Sequence, residues 1–164
     1  QSVRMVLLAL LSATHLFLLG PPGTAKSLIS SRIKDMVFGA NYFSALLTRQ
    51  SQESALFGPL SLKLLKEDRI HYNVENFLPS AHMAFVDEIF KAPGGLLNAL
   101  LTVMQERAFF NDGKRQSCDL ISVVAASNEV PTRDDMRAFL DRFLLREFAG
   151  SVADVHFDVL KIDR

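Results

Sequence analysis

The sequence predicts an α/β fold with a mostly parallel, five-stranded sheet and helices on both faces. Short apolar runs alternate with stretches of helical periodicity, which is typical of a covered parallel sheet. A glycine-rich loop joins the first apolar run to a helical stretch, and polar residues directly follow two later runs. At 164 residues the chain is long enough for one domain with a sizeable core.

Charge and cysteine content narrow the class of protein. Eighteen basic and eighteen acidic side chains give a net charge of zero, and no Lys/Arg cluster is present, which argues against nucleic acid as the default partner. Cys118 is the single cysteine, so no intrachain disulfide can form. We therefore expect a cytoplasmic protein.

The apolar start of the chain predicts a buried helix over residues 3–11, followed by a strand over 15–19. The run is broken at residues 12–15 and is shorter than the ~18 residues a spanning helix needs. We expect neither a membrane span nor a signal peptide here.

The stretch "LFLLGPPGTAKS" runs from Leu16 to Ser27 and nearly fits the phosphate-loop pattern G-x-x-x-x-G-K-[ST], with Ala25 at the second glycine. In a strand–loop–helix, the loop N–H groups and the helix N-terminus surround phosphate oxygens. Lys26 would neutralise phosphate charge and Ser27 would ligate Mg²⁺. Ala25 is tolerable if its φ is negative, as in a first helical turn. The alternative is a proline-stiffened turn that happens to precede Lys-Ser.

Further elements follow in order along the chain. We predict strands over residues 42–47, 82–86, 120–126 and 144–148, and helices over 96–106 and 135–143. Residues 54–81 have no long period and predict an excursion off the sheet, and residues 111–113 predict a hairpin turn.

Asp87 and Glu88 follow the strand predicted over 82–86. An aspartate there can hold Mg²⁺ and the adjacent glutamate can orient and partly deprotonate an attacking water, which indicates nucleotide hydrolysis. The alternative is that the two acids only cap the next turn. Because parallel strands end at one rim, Gly20, Asp87 and Asn128 are expected there together.

Asn128 and two late arginines each admit two interpretations. Asn128 could bond the γ-phosphate or the attacking water, or form an Asx turn that closes its strand. Arg142 and Arg146 could be surface cations paired with Asp141 and Glu147, or one could reach into a neighbouring subunit's nucleotide. Charge spacing alone favours the surface pairing.

The segments "GPPGTAKS", "MAFVDEI", "VVAASNE" and "LDRF" together resemble the AAA+ ATPases, P-loop NTPases of the ASCE type, and specifically the MoxR branch. "LFGPLSL", "DEIFKA", "LLNALLTVMQER" and "VVAASNEVP" extend the resemblance over nearly the whole chain, with the RavA type the nearest likeness. MoxR-type loops commonly carry alanine before the lysine, as at Ala25.

The resemblance implies roles for the residues of these motifs. Glu88, Asn128 and Arg142 would be catalytic, as Walker B glutamate, sensor 1 and arginine finger, with Ser27 and Asp87 on the metal. ATP would be bound by Asp87 and by the Walker A residues Gly20, Pro21, Pro22, Gly23, Thr24, Ala25, Lys26, Ser27 and Leu28. ATP and Mg²⁺ are the implied cofactors.

The resemblance also implies an organisation. Residues 1–150 would form the nucleotide-binding core, with 54–81 as the helix-2 insert and 107–119 as the pre-sensor-1 hairpin. Residues 66–72 and the hairpin turn would contact clients, while 151–164 has no assigned role. A helical lid with a sensor 2 arginine is expected in this family but is absent up to Arg164, so the sequence is a fragment or an atypical chain.

Three functions follow from these observations. The first is Mg-dependent ATP hydrolysis in a hexameric ring of identical chains that remodels a protein client or assists cofactor or metal insertion, with a von Willebrand-type protein as a possible partner. The second is a nucleotide-dependent interaction module without significant turnover. The third is a DNA-handling AAA+ protein, for which Lys66, Arg69, Lys114 and Arg115 are a thin supply of charge.

Overall fold

A computed structural model describes residues 2–21, 26, 29, 32, 38–129 and 134–149. Its centre is a five-stranded sheet in which every neighbouring pair is parallel. The strands are β1 (Leu16–Leu19), β2 (Tyr42–Leu46), β3 (Met83–Asp87), β6 (Ser122–Ser127) and β7 (Leu145–Phe148), in the spatial order β2-β3-β6-β1-β7. The predicted fold class is confirmed.

Helices cover both faces of this sheet. The helices are α1 (Ser2–Leu11), α2 (Ser54–Phe57), α3 (Leu62–Leu65), α4 (Gly94–Glu106) and α5 (Asp134–Leu140), and Lys26, Ile29 and Arg32 are also helical. Short 3-10 turns lie at Leu78–Ser80 and Ile89–Lys91. No helix in the part of the chain that the structure describes is both long and apolar enough to cross a bilayer.

Alternation along the strands divides the core into two layers, because successive side chains of a strand point to opposite faces. Leu16 and Leu18 of β1 pack with Val6 and Ala9 of α1 on one face. Phe17 of β1 belongs to the larger layer on the other face, with α4, α5 and the segment between β2 and β3.

The prediction that α1 is buried was wrong. Val6 and Ala9 are fully buried, but Val3, Leu7 and Leu8 are each more than two-fifths exposed and Leu11 is 87% exposed. The helix is apolar around most of its circumference, yet it packs on the sheet through one face only. Arg4 is the one charged residue of α1 and lies on the exposed side, beside Val3, Leu7 and Leu8, but a single charge among apolar neighbours is a weak periodic signal.

Strand boundaries differ from the predictions by one or two residues. The main consequence concerns Asp87, which is the last residue of β3, paired with Leu46, and does not lie beyond the strand end. The strand predicted from residue 120 begins instead at Ser122, and the helix predicted over 135–143 is Asp134–Leu140.

The excursion between β2 and β3 and the hairpin after α4 contact each other. β4 (Ala108–Asn111) and β5 (Lys114–Ser117) pair through a turn whose two residues, Asp112 and Gly113, have φ of 54° and 70°. Two positive φ values are typical of a type I′ turn. Asn111, 2% exposed, accepts from Tyr72 N at 2.7 Å and donates to Tyr72 O at 3.1 Å.

Candidate functional site

The sheet order brings the three predicted motifs to one edge. Gly20 follows β1, Asn128 follows β6 and Asp87 ends β3, and all three strands run in the same direction. Since β6 lies between β1 and β3, Asn128 lies between the glycine-rich loop and the acidic pair. This edge is the usual ligand edge of a parallel sheet.

The first residue of the glycine-rich loop is fixed by its neighbours. Gly20 N donates to Ser127 O at 3.0 Å, and Ala149 N donates to Leu19 O at 2.7 Å. A Cβ on Gly20 would lie 2.4 Å from Ala149 O. Glycine is therefore required here by the close approach of the backbone at Ala149, directly after β7, a reason the sequence did not reveal.

Lys26 is 5% exposed, and its Nζ donates to Gly20 O at 2.7 Å. The loop thus retains a buried ammonium group at its mouth, because the lysine folds back onto the residue where the loop begins. Pro21 is exposed, whereas Pro22, Gly23, Thr24, Ala25, Ser27 and Leu28 lie outside the described residues.

The acidic pair sits on a strained turn. Asp87 Oδ1 accepts a hydrogen bond from Glu88 N at 2.9 Å, and Glu88 has φ 53° and ψ 43°. The left-handed region is costly for a residue with a Cβ and tends to be retained where a site needs it.

The Glu88 carboxylate is held by a cation. Lys91 Nζ lies 3.4 Å from Glu88 Oε2, and the Glu88 side chain is 18% exposed. Oε2 is buried and forms no hydrogen bond with any described residue, so the contact is an ion pair without good hydrogen-bond geometry. Sequence reasoning missed Lys91, although its spacing of three residues from Glu88 on a helical turn was the available signal.

Asn128 does not form the Asx turn that was its alternative interpretation. The turn after β6 is made by Ser127, whose Oγ accepts from Glu129 N at 3.0 Å and donates to Glu129 O at 2.9 Å. Asn128 Oδ1 is buried and has no hydrogen-bond partner among the described residues. An orphan amide oxygen at this edge is available to a ligand or water.

The two late arginines differ in their surroundings. Arg146 Nη2 lies 3.0 Å from Asp141 Oδ1, and Arg146 Nε donates to Phe143 O at 3.2 Å. Arg142 is exposed and has no ion pair within the described parts of the chain. The surface-cation interpretation therefore fits Arg146, and Arg142 is the one left for an intermolecular contact.

A cavity of about 410 Å³ opens at the same edge. Arg49 follows β2, Phe90 and Lys91 follow β3, and Glu129 follows β6. Because Lys91 lines the cavity and also pairs with Glu88, whatever enters the cavity meets the cation that holds the acidic pair.

Solved structures show the class of fold. A putative ATPase from Cytophaga hutchinsonii superposes with a TM-score of 0.70 at 21% identity, covering 90% of this chain and 44% of that one. NtrX from Brucella abortus in complex with ATP gives 0.64 at 18% identity, covering 93% and 37%. At these identities the likeness concerns the fold, which is that of the P-loop ATPases.

Sequence relatives show the family. The family described as the MoxR domain in the MoxR-vWA-beta-propeller ternary systems matches residues 1–162, so the chain belongs to the MoxR family of AAA+ ATPases. The uncharacterized proteins MJ0079 and MJ0812 of Methanocaldococcus jannaschii are each 43% identical over 153 residues, which is 93% of this chain. Chaperone MoxR1 of Mycobacterium tuberculosis is 32% identical over 65% of it.

The chain spans 40% and 41% of the length of the two Methanocaldococcus proteins, and 27% of Chaperone MoxR1. The predicted MoxR membership is confirmed. The narrower likeness to the RavA type finds no support among these relatives.

Proposed function

We propose that this chain is the nucleotide-hydrolysing core of a ring-forming MoxR ATPase that uses ATP and Mg²⁺ to remodel a protein client. The observation that carries the proposal is the position of Asn128, with its orphan buried oxygen, between the loop that holds Lys26 and the Asp87–Glu88 pair. Hydrolysis needs three groups together: a cation that binds the phosphates, an amide that orients the water and a general base.

The loop from Gly20 to Leu28 would bind the phosphates. Lys26 is buried and already donates to a loop oxygen, so a γ-phosphate oxygen could replace Gly20 O as its acceptor. Asp87 uses Oδ1 for Glu88 N, which leaves Oδ2 to share a metal with Ser27. When bound there, Mg²⁺ would neutralise charge on the β- and γ-phosphates.

Glu88 would act as the general base. Its carboxylate would accept a proton from the water that forms the new O–P bond, while the bond between the γ-phosphorus and the bridging oxygen breaks and ADP leaves. Asn128 Oδ1 would accept a hydrogen bond from the same water and so orient it. For this step Glu88 must separate from Lys91, which the ion pair without good hydrogen-bond geometry permits.

Arg142 would serve the nucleotide of a neighbouring chain in a hexameric ring. Its exposed guanidinium has no ion pair among the described residues, and a charged planar group suits the developing phosphate charge. The insert and hairpin would contact the client, since the Arg69–Asp112 ion pair and the Asn111–Tyr72 bonds join them into one unit. The family description makes von Willebrand-type and β-propeller proteins the partners to test, in the cytoplasm.

The test measures phosphate release and nucleotide affinity in parallel. Glu88→Gln should bind a fluorescent ATP analogue with wild-type affinity and lose at least about 100-fold in turnover. Glu75→Gln removes the same charge from an exposed site on the insert and should match the wild type. Equal turnover in Glu88→Gln and the wild type would exclude Glu88 as the base.

The second test concerns the arginines. Arg142→Ala should abolish hydrolysis, and mixing it with Glu88→Gln subunits should restore part of the activity, because each variant supplies what the other lacks. Arg146→Ala is the matched control and should retain turnover, since its guanidinium is engaged by Asp141. Failure of the mixture to recover activity would contradict a role across the interface.

One observation favours a second candidate, a nucleotide-dependent interaction module without significant turnover. Lys91 occupies the carboxylate that hydrolysis needs. Under this alternative the wild type binds ATP and releases no phosphate, whereas Lys91→Met gains turnover because the carboxylate is freed. Turnover in the wild type that Lys91→Met leaves unchanged would argue against it.

A further inference from the structure

A second cavity, of about 180 Å³, lies between the start of α2, the insert, α4 and the hairpin. None of the residues that line it belongs to the edge that carries Gly20, Asp87 and Asn128. Neither the family resemblance nor the proposed hydrolysis gives this cavity a role. Its lining combines four aromatic side chains with one carboxylate: Phe57, Tyr72, Phe109, Phe110 and Glu53.

The aromatic residues form a fixed inner wall and an open outer one. The rings of Phe57 and Phe109 are stacked, with centroids 5.6 Å apart and planes 4° from parallel, and both residues are 5% exposed. Tyr72 packs beside Phe57 with centroids 6.0 Å apart. Phe110 is 65% exposed, so the cavity is accessible from its side.

Glu53 gives the cavity its charge and is the one charged residue among the described residues that line it. Tyr72 OH donates to Glu53 Oε2 at 2.8 Å. Burial, followed by the hydrogen bond to Glu53 and its charge, raises the pKa of Tyr72 to about 12. Glu53 precedes α2 yet makes no side-chain cap, so Oε1 remains available to a ligand while Oε2 accepts from Tyr72.

We propose that this cavity binds the guanidinium side chain of an arginine presented by a partner protein. An aromatic wall beside a carboxylate suits a flat cation, because the guanidinium stacks on aromatic faces while its N–H groups reach the carboxylate oxygens. A lysine ammonium has the same charge but lacks the flat shape that stacks on an aromatic ring. Glu53 has no ion pair with any residue that the structure describes, so its charge would select a cation over a neutral side chain.

The position of the cavity indicates a protein as the source of that arginine. Tyr72 and Phe109–Phe110 belong to the same insert and hairpin that Asn111 joins, and the hairpin forms a two-stranded sheet separate from the central one. A side chain inserted here would anchor a polypeptide across that unit. The inference holds whether or not the chain hydrolyses ATP, since no residue of the proposed catalytic set takes part.

The test uses three labelled peptides that differ only in the side chain of their central residue. Fluorescein-labelled Gly-Ser-Arg-Ser-Gly is titrated with the purified chain and followed by anisotropy, beside the same peptide with citrulline, a neutral isostere of arginine. We expect the arginine peptide to bind at least about tenfold more tightly, as a charge-assisted hydrogen bond should give. A third peptide with lysine should bind between the two.

Variants assign the effect to the cavity. Glu53→Gln should reduce the preference for arginine over citrulline to about one, and Phe110→Ala should weaken the binding of the arginine peptide. Glu75→Gln, an exposed acid on the same insert, should keep the wild-type preference. Far-UV circular dichroism checks that each variant is folded.

Three outcomes would overturn the inference. They are equal binding of the arginine and citrulline peptides, an unchanged preference in Glu53→Gln, and equal binding of lysine and arginine, which would exclude guanidinium recognition. Absence of binding by every peptide is a case of the first outcome and overturns the inference; if Glu53→Gln then abolishes a concentration-dependent self-association, the occupant is a second copy of this chain.

Discussion

Mild acid should lower the stability of this fold, because His15 takes up a proton more readily in the unfolded chain than in the folded one. His15 is 8% exposed at the start of β1. Its Nδ1 accepts from Val123 N at 3.0 Å, so the ring proton must sit on Nε2, which faces Met104 O at 3.2 Å. The neutral ring thus joins β1 to β6 and to α4, and a proton on Nδ1 would break the first of these bonds.

The magnitude follows from the difference between two pKa values. Burial, then the charge of Arg107, lowers the pKa of His15 from 6.5 to about 4, and the bond to Met104 opposes this only in part. Above pH 6.5 both states are neutral. Between pH 6.5 and about 4, His15 binds a proton in the unfolded chain but not in the folded one. The free energy of unfolding therefore decreases as the pH is lowered, by about 2 kcal/mol between pH 7.5 and 5.

Urea unfolding followed by far-UV circular dichroism at pH 7.5 and 5.0 measures this loss, since the chain has no tryptophan. His15→Gln should be less stable than the wild type at pH 7.5, because the ring's bonds to Val123 and Met104 are lost. It should lose about 2 kcal/mol less on acidification, because glutamine does not titrate. Ser122→Ala, which removes the hydrogen bond from Ser122 Oγ to Thr14 O at the same junction, is the control and should keep the wild-type pH dependence. Equal losses in the wild type and His15→Gln would refute the linkage.

Two further substitutions test close contacts elsewhere. Gly20→Ala places a methyl group 2.4 Å from Ala149 O, a backbone atom that cannot rotate away. Thermal unfolding should show a destabilisation of about 1–3 kcal/mol. The control is Gly95→Ala, whose methyl group meets nothing within 4 Å and should not destabilise the fold. Asn111→Ala leaves the N–H and C=O of Tyr72 without their partners, so the Tyr72 amide should exchange hydrogen at least about tenfold faster. Unchanged exchange would show that the two Asn111–Tyr72 bonds do not hold the insert to the hairpin.

The parallel sheet was predictable, but the order of its strands was not. Apolar runs that end at Gly20, Asp87 and Asn128 were enough to assign the three residues to one edge. Chain order, however, puts β3 before β6, and nothing in the sequence says that β6 inserts between β1 and β3. Strand pairing depends on contacts distant in sequence, which periodicity does not report.

Local chemistry was predictable where the backbone imposes it and ambiguous where side chains choose partners. The turn at Asp112–Gly113 was recognisable because few residues accept two successive positive φ values. Arg142 and Arg146 cannot be distinguished by charge and spacing, and only the structure shows that Asp141 forms its ion pair with Arg146. The same holds for Ser127, which takes the turn that Asn128 could have made.

The proposed catalytic turn and the client-facing unit are joined by α4. This helix begins three residues after Lys91 and is separated from β4 by Arg107 alone, and its 13 residues span about 20 Å. Leu100, Val103 and Met104 on the buried face of α4 fix it against the core. A rigid, packed helix transmits a displacement at one end to the other, because close-packed interfaces deform little.

The contacts at each end of α4 indicate what such a displacement would move. At its start, Lys91 either pairs with Glu88 or releases it, and the 3-10 turn between them leads directly into the helix. At its end, the hairpin is bonded through Asn111 and Asp112 to the insert, so the two cannot shift separately without losing those bonds. If Glu88 acts as proposed, α4 is the continuous element that joins its turn to the hairpin, and the bonds of Asn111 and Asp112 connect the hairpin to the insert.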